Sequence, residues 1–321
     1  MRPDVRLPPP VRPGDRVGVA ALSGPIDPGR LDVGLDALAE LGFEPVPAAN
    51  LRSKSGLFAG TDDERLAAFH TLVDDPSVRA ILFARGGHGV LRLLPRFDWR
   101  RLGRVPRAYV GYSDLTPFLL EVVRRLGWVS FHGPMVAADL ARGLDDDERD
   151  SLLAALAGDY PRVCPLAGGR GDETVEGPLL GGCLSMLVSL LGTPWAQDLS
   201  GAVVFLEDIE EPWYRLDRML TQLRLSGNLT NPVAMLAGHL TLLDGPRSTP
   251  TVGVSRGPSG WLEDSLAEQA SSRSWPWGWG LPAGHQGPNW TLPLGLRARF
   301  EPAASRLILG TQSPAGLGGR E

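Results

Sequence analysis

Four short stretches of this chain carry residue types able to make or break a covalent bond. Ser113 stands in Gly111-Tyr112-Ser113-Asp114, between a strand-like run and a helix-like one. That is the first half of G-x-S-x-G, where a serine on a sharp strand-to-helix turn projects its hydroxyl for attack, but Leu115 replaces the closing glycine. The plainer alternative is a helix cap, a role that Ser and Asp both fill well. Arg85-Gly86-Gly87-His88-Gly89 follows an apolar run, and its glycines would let backbone N–H groups approach a phosphate or an oxyanion. It matches neither G-x-G-x-x-G nor a P-loop, and a tight turn accounts for it as well. Glu207-Asp208-Ile209-Glu210-Glu211 could hold a hard cation such as Mg²⁺, open a helix, or orient a histidine; the pattern does not choose. His285, beside Gly284 and shortly before Pro288, lies in a loop, where catalytic groups often sit. It is one of five histidines, and no two have the spacing of metal ligands.

The elements around these stretches alternate. Residues 16–23 read as a strand closed by Gly24-Pro25. Residues 30–41 have helical spacing, with Leu31, Leu35, Leu38 and Leu41 on one face. Thr61 with Glu64 is a capping-box pattern opening a helix to about Val73. Residues 78–83 form a continuous apolar run, as in a buried parallel strand. A strand over 108–112, a helix over 116–126, a strand over 129–131 and a helix over 144–157 complete the first half. Strands alternating with helices argue for a parallel sheet covered on both faces. Residues 161–174, rich in Gly, Pro and charge, read as a linker between a domain over 1–160 and another over 175–321. In the second half, helices over 184–191 and 213–225 flank a strand over 202–206. The signal weakens beyond Gly238. Residues 248–260 read as a loop, and 290–300 and 306–309 as closing strands.

Composition narrows the function. Gly 40 and Pro 29 are roughly a fifth of the 321 residues, below the about 25–30% that marks disorder. A net charge of −5 provides no field that would draw the chain onto nucleic acid or an anionic membrane. Two cysteines, Cys164 and Cys183, form no C-x-x-C and no disulfide framework. The N-terminus lacks the apolar core of a signal peptide, and no stretch of about 18 apolar residues appears, so a cytoplasmic protein is expected.

Taken in order, the stretches resemble the LD-carboxypeptidase family of serine peptidases, which includes muramoyl-tetrapeptide carboxypeptidases and microcin C self-immunity proteins. The resemblance runs through VRPGDRVGVAALSGP, FAGTDDERLAAF, ARGGHGVLRLL, VGYSDLTPFLL, FHGPMVAADL, GPLLGGCLSMLVSLLGTPW, VVFLEDIEEPWYRLDRMLTQLRLSG and GLPAGHQGPNWTLPLG. It implies an α/β protein: an N-terminal parallel-sheet domain with the nucleophile turn, a C-terminal α/β domain, and the active site between them. It implies Ser113 as nucleophile, Glu207 as acid and His285 as base, with no cofactor and no metal. Backbone N–H groups of Gly87 and Asp114 would form the oxyanion hole. Arg85 and Gly86 would meet the substrate, the guanidinium binding its free carboxylate. The partners implied are a small peptide or muropeptide and a second copy in a homodimer. The expected reaction is release of the terminal D-Ala from a murein tetrapeptide. The alternatives are an immunity-type hydrolase cleaving peptidyl or aminoacyl nucleotides, a catalytically silent binding protein, and metal-dependent hydrolysis through the acidic cluster. The chain departs from the family pattern at His88, at Cys183 and over 238–280. Trp275, Trp277 and Trp279 alternate there and as a strand would share one face, toward a partner, a glycan or their own domain.

Overall fold

A computed structural model describes residues 5–242 and 275–311. The loop expected over 248–260 lies outside them, as does 243–274 of the divergent stretch. Two compact units divide the chain. One comprises 1–160 with 288–296, the other 161–287 with 297–321. Among the described residues no helix is long and apolar enough to cross a membrane.

The first unit alternates strand and helix. Its elements are β1 (Arg16–Ala20), α1 (Pro28–Glu40), β2 (Glu44–Pro47), α2 (Asp62–Asp74), β3 (Val78–Phe83), α3 (Val90–Leu93), α4 (Trp99–Leu102), β4 (Ala108–Gly111), α5 (Thr116–Glu121), β5 (Ser130–His132) and α6 (Asp146–Ala157). Helix starts follow local chemistry. Asp27 accepts from Arg30 N at 2.9 Å ahead of Pro28, which suits a first helical position. The Thr61–Glu64 capping box is formed in both directions, at 2.7 and 3.2 Å. A second box, Asp145 with Glu148, starts α6 two residues later than its apolar spacing suggests. The expected helix over 116–126 is α only to Glu121, and 122–126 continues as a π turn ending at left-handed Gly127.

Strand order is β12-β5-β4-β3-β1-β2, where β12 is Leu292–Leu294. Strands β1 to β5 pair in parallel; β1, β3, β4 and β5 are largely buried, and the edge strand β2 is partly exposed. Strand β12 runs antiparallel to β5, with Leu292 opposite His132. An aromatic cluster anchors the helix after Ser113: Phe118 on α5 meets Phe69 edge-on at 5.6 Å and Phe83 at 5.5 Å.

The second unit is built on an eight-stranded sheet, in the order β6-β14-β13-β8-β9-β10-β11-β7. The strands are β6 (Arg162–Pro165), β7 (Gly168–Arg170), β8 (Val175–Cys183), β9 (Val203–Glu211), β10 (Ala234–Leu242), β11 (Trp277–Trp279), β13 (Arg297–Glu301) and β14 (Arg306–Leu309). Strands β8 to β11 are mutually parallel and the rest pair antiparallel. Helices α7 (Leu184–Ser189) and α8 (Trp213–Leu225) accompany β8 and β9.

Two expectations change here. The supposed linker over 161–174 holds β6 and β7, because its Gly and Pro residues serve edge strands and close approaches rather than a tether. A side chain at Gly168 would lie 2.1 Å from the Trp279 ring. The stretch 290–300 is not one strand: Gly295, at φ +89°, turns the chain between β12 and β13, which belong to different sheets. Trp277 and Trp279 do lie in one strand, with ring centroids 5.3 Å apart. Trp279 packs on its own unit, over Gly168 and beneath Arg170.

Candidate active site

In the first unit the chemistry-bearing loops all leave the carboxyl ends of β1, β3 and β4, the edge where open α/β sheets bind ligands. Ser113 follows β4 and is half-buried, with φ +62°. A non-glycine residue held there stores backbone strain, as at a nucleophile turn. Neither Ser113 nor Asp114 supplies a side-chain cap to the helical residues that follow. The Asp114 carboxylate instead accepts from Ser23 Oγ at 2.6 Å and from Val90 N at 3.0 Å. Tyr112, just before the serine, donates its hydroxyl to Asp139 at 3.3 Å. Burial holds the Asp139 carboxyl above the usual carboxylate range.

The glycine loop after β3 lies against this turn. Gly86 is buried, and a β-carbon there would fall 2.9 Å from Ser113 Cβ and 3.0 Å from its Oγ. Gly87 is exposed, at φ +112°. Gly24 N donates to Gly86 O at 3.2 Å, tying the loop after β1 to it. Arg85 is exposed, donates to Pro25 O at 2.9 Å, and has no carboxylate partner among the described residues. His88 stacks on Phe58 with centroids 5.7 Å apart.

In the second unit Glu207 Oε2 lies 2.7 Å from His285 Nδ1. Glu207 is wholly buried at the middle of β9, opposite Cys183 at the end of β8. Burial raises its pKa, and the bond to His285 pulls the other way. The histidine loop is pinned to β10, the strand beside β9: Leu281 N donates to Ala237 O at 3.1 Å and His239 N to Ala283 O at 2.8 Å. Glycine is required twice. A side chain at Gly238 would meet Ala283 O at 2.5 Å, and one at Gly284, φ +125°, would meet Glu207 Oε2 at 2.8 Å. With Nδ1–H donating to the carboxylate, Nε2 is the basic nitrogen.

The other residues of the acidic run have separate partners. Asp208 accepts from Ser185 N at 2.7 Å, in the first turn of α7, and from Ile209 N at 2.9 Å. Glu210 takes φ +53°, and its N–H goes to Thr241 Oγ1 at 2.9 Å. Glu211 pairs with Arg215 at 3.1 Å. Among the described residues no cluster of three or more His, Cys, Asp or Glu side chains could hold a metal ion. Cys183, in contact with Ser185 Oγ at 3.2 Å, is buried, which pushes its thiol pKa well up.

Each unit thus assembles part of the expected set: Ser113, Asp114, Gly86 and Gly87 in one, Glu207 and His285 in the other. Sequence reasoning missed the bonds of the Asp114 side chain, Ser23, and the glycine at 238. Only the Gly-Pro punctuation near Ser23 marked its loop.

Comparison with known proteins agrees with this layout. Residues 17–133 match the LD-carboxypeptidase N-terminal domain and residues 176–300 the LD-carboxypeptidase C-terminal domain. The chain belongs to the LD-carboxypeptidase family. It is an enzyme, a serine carboxypeptidase. A probable murein peptide carboxypeptidase of Bacillus subtilis is 35% identical over 302 residues, covering 92% of each chain. The crystal structure of muramoyltetrapeptide carboxypeptidase from Oxalobacter formigenes superposes with a TM-score of 0.80 at 31% identity, over 92% of this chain and 97% of that one. The microcin C7 self-immunity protein MccF superposes with a TM-score of 0.84 over 95% of this chain and 98% of that one. Its identity is 23%, so that likeness speaks to the fold.

Proposed function

We propose that this enzyme releases the terminal D-Ala from murein tetrapeptides, cutting between the L-centre of the third residue and D-Ala. The carrying observation is the Glu207–His285 pair at 2.7 Å in a chain whose family serine stands at a strained turn. In this reading His285 Nε2 takes the Ser113 proton as Oγ attacks the scissile carbonyl. Glu207 holds the imidazole by Nδ1 and stabilises its cation. Backbone N–H groups of Gly87 and Asp114 receive the oxyanion; one such donor contributes about 3–4 kcal/mol. The tetrahedral intermediate collapses as the imidazolium protonates the departing D-Ala amine. Water, deprotonated by His285, then hydrolyses the acyl-serine. Arg85, with no carboxylate partner among the described residues, takes the substrate's free α-carboxylate bidentately.

The activities for which the relatives are named, murein peptide and muramoyltetrapeptide carboxypeptidase, support this substrate class. The reading also carries a cytoplasmic location and a homodimer, tested by fractionation and by sedimentation. The direct test incubates the protein with tetrapeptides bearing diaminopimelate, Lys or ornithine at position three, and with a peptidyl-nucleotide amide. D-Ala is followed by mass spectrometry. Release from a tetrapeptide, and none from a peptide ending in an L,L bond, is expected. Cleavage confined to the nucleotide conjugate would refute it.

A further inference from the structure

The Asp114 side chain has a task apart from its backbone N–H. It is 1% exposed, yet it lies beside a half-buried serine at the ligand-binding edge of the sheet. One oxygen, Oδ2, accepts both its hydrogen bonds, from Ser23 Oγ at 2.6 Å and Val90 N at 3.0 Å. The other, Oδ1, is buried with no hydrogen-bond partner among the described residues. A carboxylate needed only for packing would not be buried half-satisfied, because an unpaired polar atom opposes folding. Its cost has to be met by something the two bonds at Oδ2 achieve.

Those bonds join three loops. Ser23 follows β1, Val90 begins α3 directly after the glycine loop of β3, and Asp114 follows β4; these strands are neighbours in the order β4-β3-β1. The glycine loop is therefore held at its far end by Asp114 and near its start by the Gly24–Gly86 backbone bond. Between the two holds lie Gly87 and the surface of Gly86 that faces Ser113. Among the described residues no other side-chain hydrogen bond joins the glycine loop to the turn. We propose that the Asp114 carboxylate is a positioning residue that fixes the glycine loop against the nucleophile turn, and so sets the distance between Ser113 Oγ and the oxyanion donors. The inference rests on the assignment of Ser113 as nucleophile made above.

The geometry distinguishes acceptor from charge. Because a single oxygen takes both bonds, an asparagine placing its carbonyl oxygen there keeps them, whereas alanine loses both. The experiment compares Asp114→Ala, Asp114→Asn and Ser23→Ala with the parent. Three readouts are taken: kcat and KM for D-Ala release from a tetrapeptide, the rate at which a fluorophosphonate probe labels Ser113, and the unfolding midpoint. Misplacing a reacting group by about 1 Å costs on the order of 10²-fold. Asp114→Ala should lose about that factor in kcat and in labelling rate, with KM within about threefold. Asp114→Asn should recover most of the loss. Ser23→Ala, which removes one of the two bonds, should fall between them. A folded Asp114→Ala protein with kcat within about threefold of the parent overturns the proposal, as does an asparagine variant as poor as alanine. Should the alanine variant not fold, Ser23→Ala decides: parent-like kcat and labelling would overturn the clamp. Failure of the parent to release D-Ala would sink the functional reading instead, and the labelling rates would still report on the clamp.

Discussion

Replacing Gly86 by alanine adds one methyl group at the point where the glycine loop touches the nucleophile. The new carbon would fall 2.9 Å from Ser113 Cβ, 3.0 Å from Ser113 Oγ and 3.6 Å from Asp114 N. Carbon pairs prefer about 3.5–4.0 Å, so the turn and the loop must part by roughly 0.6–1 Å. Rotating the hydroxyl relieves the Oγ contact but not the Cβ one, because Cβ is fixed to a strained backbone. Helix α5 resists the shift, since Phe118 is locked among aromatic rings. Overpacking of this kind costs about 1–3 kcal/mol of stability. The larger effect is on rate. A displacement near 1 Å at the reacting atom is worth about 10²-fold, and the methyl also crowds the space beside the Asp114 N–H. Gly86→Ala should therefore cut kcat by on the order of 10²-fold. The assay is D-Ala release under steady state, with unfolding midpoints to show that the protein remains folded. An alanine variant with parent-like kcat would show that the loop yields freely, and the account of a fixed nucleophile turn would be wrong.

Other outcomes follow from the same geometry. Ser113→Ala and His285→Ala should each reduce turnover by roughly 10⁴-fold or more, and the double variant should be little worse than either, since both fail at one step; additive losses in a rate assay would contradict this. Because burial raises the Glu207 pKa, its carboxylate takes up a proton at higher pH than an ordinary glutamate. Activity needing the anion should therefore fall on acidification before that ordinary range is reached, the apparent value belonging to the Glu207–His285 pair; profiles of kcat/KM from about pH 4 to about pH 8 check it. The stability sign is opposite: the folded state binds this proton more tightly than the unfolded chain, so this contribution is present below the ordinary glutamate pKa and is lost as pH rises through the folded one. Glu207→Gln should flatten that part of a denaturation-versus-pH curve. EDTA should leave D-Ala release unchanged, and recovery of a lost activity by Mg²⁺ or Mn²⁺ would shift the chemistry to the acidic run.

Local signals in the sequence were enough for elements whose reason is local. The apolar run 78–83 is β3 to the residue, and α8 spans 213–225 as its spacing indicates. The Thr61–Glu64 box marks the start of α2 because both of its bonds are made within one turn. What was not legible depends on distant partners. Strands β6 and β7 hide in a Gly- and Pro-rich stretch because they are short edge strands, paired with β14 and β11. The 290–300 run has one apolar pattern but two destinations, divided by a glycine turn that sequence periodicity does not weigh. At the site, residue types marked Ser113, Glu207 and His285, and only the resemblance ranked Glu207 above its neighbours. The structure gives those neighbours other duties: Asp208 holds α7 and Glu211 holds Arg215. The Asp114 clamp was invisible because Ser23 and Val90 are remote in sequence and meet it only across three strands.

Strand β12 has a consequence for how the chain is made. It covers β5, a partner synthesised about 160 residues earlier, so the first sheet is completed by one of the most non-local pairings in the protein. At translation rates of about 5–20 residues per second, β5 waits on the order of 10–30 s for its neighbour. Through that interval the nascent first unit has an unpaired strand edge, and Glu148 and Ser151 of α6 lack the Asn289 and Thr291 amides that they bind in the finished protein. The three-residue length of β5 keeps that edge a poor template for pairing with other chains. A fragment cut after residue 160 would retain this open edge permanently, so the sequence boundary between the halves is not a boundary at which the first half can be released whole.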